Sequence, residues 1–279
     1  TNDAIIMSAG APASAVTGDN GAAVFTNVTN VDSVTIRKGA DAGDDVTLDL
    51  GSYATKLTID ASAMDATSSV NAAGTGILSD ATDAFLNLTA SSATKDLIVT
   101  ATSGWDIIAA GQGNDSYTLG LGNDTITFPA GKISNLDTIS GGDGTDTVEV
   151  DSTTAVTDVN FINMTSVENL EIVTDTTAAV TLSTYASAAG ITKVTVLAGA
   201  GDDVVNAAGM TTGVNIVAST ASTGNDTLTG GLGDDTFTFS TTAGLETADT
   251  LDGGVGTDTV SLDNSAGAFT ATGIVVDDV

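Results

Sequence analysis

Glycine and aspartate recur in this chain at a nine-residue spacing that suits the capture of a hard cation. Gly141–Glu149 (GGDGTDTVE), Gly230–Thr238 (GGLGDDTFT) and Gly253–Ser261 (GGVGTDTVS) share one pattern, G-G-x-G-x-D-x-U-x, in which U is a large apolar residue. Glycine permits positive φ and close backbone approach in a tight turn. The aspartate supplies a carboxylate oxygen and the turn carbonyls supply more, an all-oxygen donor set that suits Ca2+. The U residue ends a short strand and points inward.

Tandem copies strengthen the pattern. Ala101–Ala109, Ala110–Thr118 and Leu119–Thr127 follow one another in register, with Asp106, Asp115 and Asp124 at position six and Ile108, Tyr117 and Ile126 at position eight. Ala221–Thr229 runs into Gly230–Thr238, carrying Asp226 and Asp235, and Ala198–Asn206 carries Asp203. The two remaining full copies carry Asp146 and Asp258, and half-copies at Asp137–Ile139 and Asp249–Leu251 bring the ordered matches to ten. The candidate metal ligands are these aspartates and their turn glycines, Gly104, Gly111, Gly113, Gly122, Gly142, Gly144, Gly201, Gly224, Gly231, Gly233, Gly254 and Gly256. Asn114, Asn123 and Asn225, one residue before an aspartate, join them.

Residues 101–149 and 198–261 resemble the RTX, or haemolysin-type, calcium-binding repeat family. The resemblance implies a parallel β-roll with several Ca2+ ions per chain, held between loops stacked on one side. A full coil in that family is two nonapeptides, so stacked loops lie two repeats apart and Asp106 pairs with Asp124. The partner of Asp203, and the pairing across the extra residues near 128–131 and 240–244, stay open at this level.

Composition narrows the function classes. The chain has 279 residues, 36 acidic and six basic, with a formal charge of −30, which argues against nucleic acid and anionic membranes as partners. High net charge can signal disorder, but 41% apolar residues is too many for that reading. The charge reads instead as metal-site carboxylate, so that metal binding contributes folding free energy. Aromatic residues are scarce, and Ala, Val, Thr and Gly suit short strands around a thin core. Cysteine is absent, which excludes disulfide staples, and no apolar run is long enough for a membrane span. Thr1 opens neither a signal peptide nor an initiator methionine, as expected of a processed chain or a fragment.

The chain also repeats on a larger scale. Phe25–Ile36 matches Phe161–Ile172, Thr55–Ile59 matches Thr192–Val196, Val70–Gly74 matches Val205–Gly209, and Gly120–Phe128 matches Gly231–Phe239. We therefore expect two modules, residues 1–152 and 153–267, the first longer by a nonapeptide and by unmatched sequence near 75–100. Residues 268–279 loosely restate the opening of a module, so they begin a third copy or form an unrelated acidic tail. Copy two has Gly201 and Asp203 where copy one has Ala66 and Ser68, which predicts a calcium-bearing loop in copy two alone. Asn215 reads as the position-six residue of a degenerate repeat. Period-two and β-branched runs at 34–36, 46–50, 56–59, 97–100, 170–173 and 194–197 predict strands, and no long stretch has helical period. The fold class that follows is all-β: a right-handed parallel β-helix or β-roll solenoid with nonapeptide coils in two duplicated modules. A β-sandwich is the alternative for residues 1–60.

Catalysis finds little support. Without histidine there is no Ser-His-Asp system and no HExxH zinc site. Paired carboxylates such as Asp44-Asp45 and Asp202-Asp203 sit in glycine-rich turns, where ligation or solvation accounts for them. Arg37-Lys38 reads as a surface pair, and the recurring Lys56 and Lys193 read as residues of a solvated outer face, with a salt bridge to a neighbouring turn carboxylate as the alternative. Trp105 and Tyr117 are the aromatic candidates for a glycan platform, although a packed loop aromatic is the simpler reading of Trp105. The modules are similar to those of calcium-dependent surface-layer proteins and large secreted adhesins. That resemblance implies an extracellular, non-enzymatic structural protein that forms a Ca2+-bridged homo-oligomer or polymer and meets cell-surface polysaccharide. An adhesin segment and a β-helix polysaccharide enzyme are the alternatives.

Overall fold

The computed structural model describes residues 85–151 except Ser92, 155–174, 177, 179–196, 201–218, 224–239 and 249–262. It also describes the strands Ala4–Ser8, Ala23–Phe25, Ser33–Arg37, Asp45–Leu48, Leu57–Ala63, Ser69–Asn71 and Val275–Asp277. Ala66, Ser68, Lys56, the linker at 240–244 and most of 268–279 lie outside the described residues. The chain forms two compact units, one of Thr1–Lys132 with Leu136–Asp146, the other of Ile133–Asn135 with Thr147–Val279.

The first unit is a parallel β-solenoid. One sheet stacks Ala4–Ser8, Ser33–Arg37, Leu57–Ala63, Leu97–Thr100, Ser116–Leu121 and Thr138–Asp143. The other stacks Ala23–Phe25, Asp45–Leu48, Ser69–Asn71, Phe85–Thr89, Ile107–Ala109 and Thr125–Phe128. Successive strands alternate between the sheets, except that Ser69–Asn71 and Phe85–Thr89 are neighbours in the same one. The pairings within residues 1–63 are parallel, so the β-sandwich alternative does not hold.

Alternation builds the core. Leu97 and Val99, Ile108, Tyr117 and Leu119, and Ile126 and Phe128 are buried, while their strand neighbours face outward. Parallel register stacks like on like: Val99, Tyr117 and Ile139 lie side by side in one sheet, and Leu88, Ile108 and Ile126 in the other. The position-eight residues therefore point inward, as their spacing implies.

The second unit repeats the plan. Thr147–Asp151, Asn169–Thr174, Lys193–Val196, Asn215–Ala218, Thr236–Phe239 and Thr259–Leu262 form one parallel sheet. Ala179–Thr181, Val204–Asn206, Thr227–Thr229, Thr250–Asp252 and Val275–Asp277 form the other. Segments that repeat in the sequence take equivalent pairings. Ser33–Arg37 pairs with Leu57–Ala63 as Asn169–Thr174 pairs with Lys193–Val196, and Asp45–Leu48 pairs with Ser69–Asn71 as Ala179–Thr181 pairs with Val204–Asn206.

A short helix, Thr184–Ala189, interrupts the β pattern and was not legible as a period. The Asp158 carboxylate, one coil earlier, accepts the N–H groups of Ser183 (2.7 Å), Tyr185 (3.2 Å) and Ala186 (2.9 Å), satisfying donors that a helix start leaves free. Gly190 ends the helix in the left-handed conformation, φ 107°.

Phe237 is fully buried between Ile216 and Val260 in one row. Phe237→Ala should cost about 3–5 kcal/mol by loss of transfer energy and a residual cavity, read as a lower denaturation midpoint in saturating calcium.

Candidate metal centre

Three turns of the first unit, residues 101–106, 119–124 and 141–146, stack with almost no clearance. A Cβ on Gly120 would lie 2.3 Å from the Thr102 carbonyl oxygen, and one on Gly122 would lie 2.1 Å from that of Gly104. Gly142 and Gly144 approach the carbonyl oxygens of Gly120 and Gly122 still more closely, at 1.9 and 1.6 Å for the same added atom. These four glycines have φ between 109° and 141°, where a side chain is strained in any case. Glycine at positions two and four thus lets successive turns lay their carbonyls one above the other.

The position-six aspartates tie these turns together. The Asp106 N–H donates to Asp124 Oδ1 (2.6 Å), and the Asp124 N–H donates to Asp146 Oδ1 (2.8 Å). Asp106 Oδ1 in turn accepts the Leu86 N–H. On the opposite side Leu97 donates to Asp115 (2.8 Å) and Asp115 to Asp137 (2.9 Å). The second unit has the same ladders: Asp203 to Asp226 (2.9 Å), Asp226 to Asp249 (2.8 Å), Val214 to Asp235 (2.8 Å) and Asp235 to Asp258 (2.7 Å). The expected pairing of Asp106 with Asp124 is present, and the pairings left open across the extra residues are now given. The half-copy aspartates Asp137 and Asp249 serve as full rungs.

Asn215 is not at position six, because its register partner is Thr236, the residue after Asp235. Buried Val214 occupies that place, and Asn215 Oδ1 accepts the Thr238 hydroxyl (2.8 Å) on the strand. Tyr117 is no glycan platform either, since it is 1% exposed and its ring lies edge-on to Phe128.

A second ladder, missed at the sequence level, runs in the opposite sense. Oδ1 of the position-five side chain accepts an N–H from the following coil: Asp96 from Asn114 (3.0 Å), Asn123 from Thr145 (2.8 Å), Asp202 from Asn225 (2.8 Å) and Asp234 from Thr257 (2.9 Å). The recurring Asn-Asp and Asp-Asp pairs were its signal. Trp105 takes the corresponding place in its turn, half-buried, and lines a shallow recess with Ser103, Gly104, Gly122 and Asn123. Lys193 is exposed on the outer sheet face, where it partly offsets the burial and the Glu149 repulsion that raise the Glu171 carboxyl.

The ladders bury charge. Asp106, Asp115, Asp124, Asp137, Asp146, Asp203, Asp226, Asp235 and Asp249 are each at most 2% exposed, and Asp258 is half-buried. Burial pushes the Asp124 carboxyl up to about 8, with repulsion from Asp106 and Asp146 adding to it. Burial likewise takes Asp106 to about 7 and Asp115 to about 6, against the hydrogen bonds that favour their charged forms. Asp235 is raised for the same reason. Oδ2 of Asp124 and of Asp258 is buried and accepts no hydrogen bond, an expensive state for a carboxylate without a cation.

Among the described residues no three acidic side chains converge into a cage. Each turn brings one position-six carboxylate, with a second acid at position five in turns such as 201–203 and 230–235; the remaining donors for a cation are backbone carbonyls, which the stacked glycine turns supply. Oxygen-only, anionic and carbonyl-rich surroundings fit Ca2+ and not a metal that selects imidazole or thiolate.

The pH response follows from these shifts. Carboxyls raised to about 6, 7 and 8 keep protons that the unfolded chain releases near pH 4, so the metal-free fold loses stability as pH rises through that window. Calcium needs the deprotonated form, so its apparent affinity should rise over the same window. Melting in chelator should be higher at pH about 5 than at pH about 8, and the order should reverse in saturating calcium.

Comparison with known families places four copies of the RTX calcium-binding nonapeptide repeat at residues 98–126, 136–152, 220–240 and 243–264. These segments contain Asp106, Asp115 and Asp124, Asp137 and Asp146, Asp226 and Asp235, and Asp249 and Asp258, whereas Asp203 lies outside them. The chain matches no curated protein and no solved structure. It is an all-β parallel solenoid that carries several calcium-binding RTX repeats.

Proposed function

We propose that the chain is a structural segment that works outside the cell, folds on calcium and assembles into a surface layer, fibre or matrix. The observation that carries this reading is the column of buried carboxylates, with Oδ2 of Asp124 and Asp258 left without a hydrogen bond. The ligands would be Asp106, Asp124, Asp146, Asp203, Asp226, Asp235 and Asp258, together with carbonyl oxygens of their stacked turns. Calcium supplies the positive charge that offsets carboxylate repulsion between consecutive coils. Where calcium is scarce, burial of these charges opposes folding and favours an extended chain, which suits export. Where it is plentiful, binding adds directly to folding free energy.

RTX repeats are typical of secreted bacterial proteins, which supports an extracellular setting. A charge of −30 is consistent with calcium-bridged contacts between copies of the chain and with avoidance of nucleic acid. A second reading, an adhesin segment that holds glycan, is favoured by Trp105 and its polar neighbours Ser103 and Asn123 around the shallow recess.

Calcium titration followed by circular dichroism and light scattering tests the proposal. A transition from coil to β with growth in particle size supports a calcium-gated assembling protein. A β transition without growth removes the assembly role and leaves the adhesin reading, and no transition overturns both. Asp124→Asn with Asp258→Asn should shift the transition to higher calcium, by about tenfold or more if each open oxygen is a ligand.

A further inference from the structure

The nonapeptide turns are not all alike. In turns 119–124 and 253–258 the glycines at positions two and four adopt positive φ (Gly120 and Gly122, Gly254 and Gly256), and the aspartate's Oδ2 is buried without a hydrogen bond. In turns 101–106, 110–115 and 230–235 the position-two residue does not adopt positive φ, and its N–H is turned toward the aspartate. Thr102 donates to Asp106 Oδ2 (2.9 Å) and Gly231 to Asp235 Oδ2 (2.5 Å). In the turn 110–115 a third residue completes the contact. The Gly111 N–H donates to the Tyr117 hydroxyl (3.0 Å), which donates to Asp115 Oδ2 (3.0 Å), while Asp115 Oδ1 accepts the Leu97 N–H.

We propose that Tyr117 is a built-in substitute for calcium: its hydroxyl closes the turn 110–115 on Asp115, so that this repeat folds without an ion while Asp124 on the opposite side takes one. The geometry supports this in three ways. Both Asp115 oxygens are engaged by protein donors. The phenol is fixed by burial, by its place between Val99 and Ile139 and by the edge contact with Phe128 at 6.4 Å. A Cβ on Gly111 would lie 2.9 Å from Asp115 Oδ2, so that oxygen already packs against the turn backbone. Other position-eight residues, such as Ile108, Ile126, Val148 and Phe237, carry no hydroxyl and cannot do this. In turns 101–106 and 230–235 the position-two N–H reaches the aspartate directly, so the tyrosine governs the one turn 110–115, although its spacing marks it only as a core residue.

This inference rests on the reading of Asp124 as a calcium ligand, and the experiment separates the two. Bound calcium is counted by native mass spectrometry on the full chain, with circular dichroism as the check of folding. Asp115→Asn should leave the count of the unsubstituted chain unchanged, whereas Asp124→Asn should lower it. Tyr117→Phe should free Asp115 Oδ2 and raise the count by one, and adding Asp115→Asn to it should return the count to the starting value. A loss of one ion in Asp115→Asn alone, or no gain in a folded Tyr117→Phe chain, overturns the proposal. If Tyr117→Phe does not fold, Asp115→Asn alone decides. An unchanged count in Asp124→Asn would instead overturn the ligand assignment on which the proposal stands.

Discussion

One hydrogen bond organises the described solenoid: a main-chain N–H at the end of one turn, donated to an aspartate oxygen of the next coil. It satisfies a buried backbone donor that no strand can reach, and it fixes coil spacing at the turn as the parallel ladders fix it at the sheets. The cost is a carboxylate buried once per turn. Asp106, Asp124 and Asp146 form such a column, and the stacked glycines above and below it leave no room for a side chain that could neutralise them. The column carries calcium repeats because its backbone solution demands anions in a dry place.

That demand explains the rest of the composition. Apolar rows such as Leu88, Ile108 and Ile126 supply the hydrophobic term, but the chain has few aromatics to add to it. A core poor in large side chains leaves little surplus with which to bury charge, and a cation bound at buried carboxylates adds to folding free energy. Short strands with glycine-rich turns are the consequence, and stability is distributed coil by coil.

Much of this was legible from spacing alone. The position-six aspartates and the inward position-eight residues follow from a nine-residue period, because two strands and two turns must close each coil. The pairing across the extra residues was not legible. Asp115 to Asp137 and Asp124 to Asp146 are both 22 residues apart instead of 18, since the insertion lies in one turn and every rung spanning it shifts equally. Asn215 was misplaced because an amide resembles a carboxylate in a motif, whereas register, set by the strand pairing with Thr236, puts buried Val214 there. The two glycine conformations and the Tyr117 contact were hidden because identical letters at position two take different φ, and only the neighbouring turn decides which.

The two ladders point in opposite directions along the chain. Position-six carboxylates lean toward the preceding coil, and position-five oxygens receive the following one. A partly built stack is therefore polar, like a filament with distinct ends. Its N-terminal face presents position-six carboxylates whose partner N–H has yet to arrive. Its C-terminal face presents position-six N–H groups beside position-five oxygens that await the following coil's N–H. A coil added at either face therefore has to bring the complement of what that face leaves open.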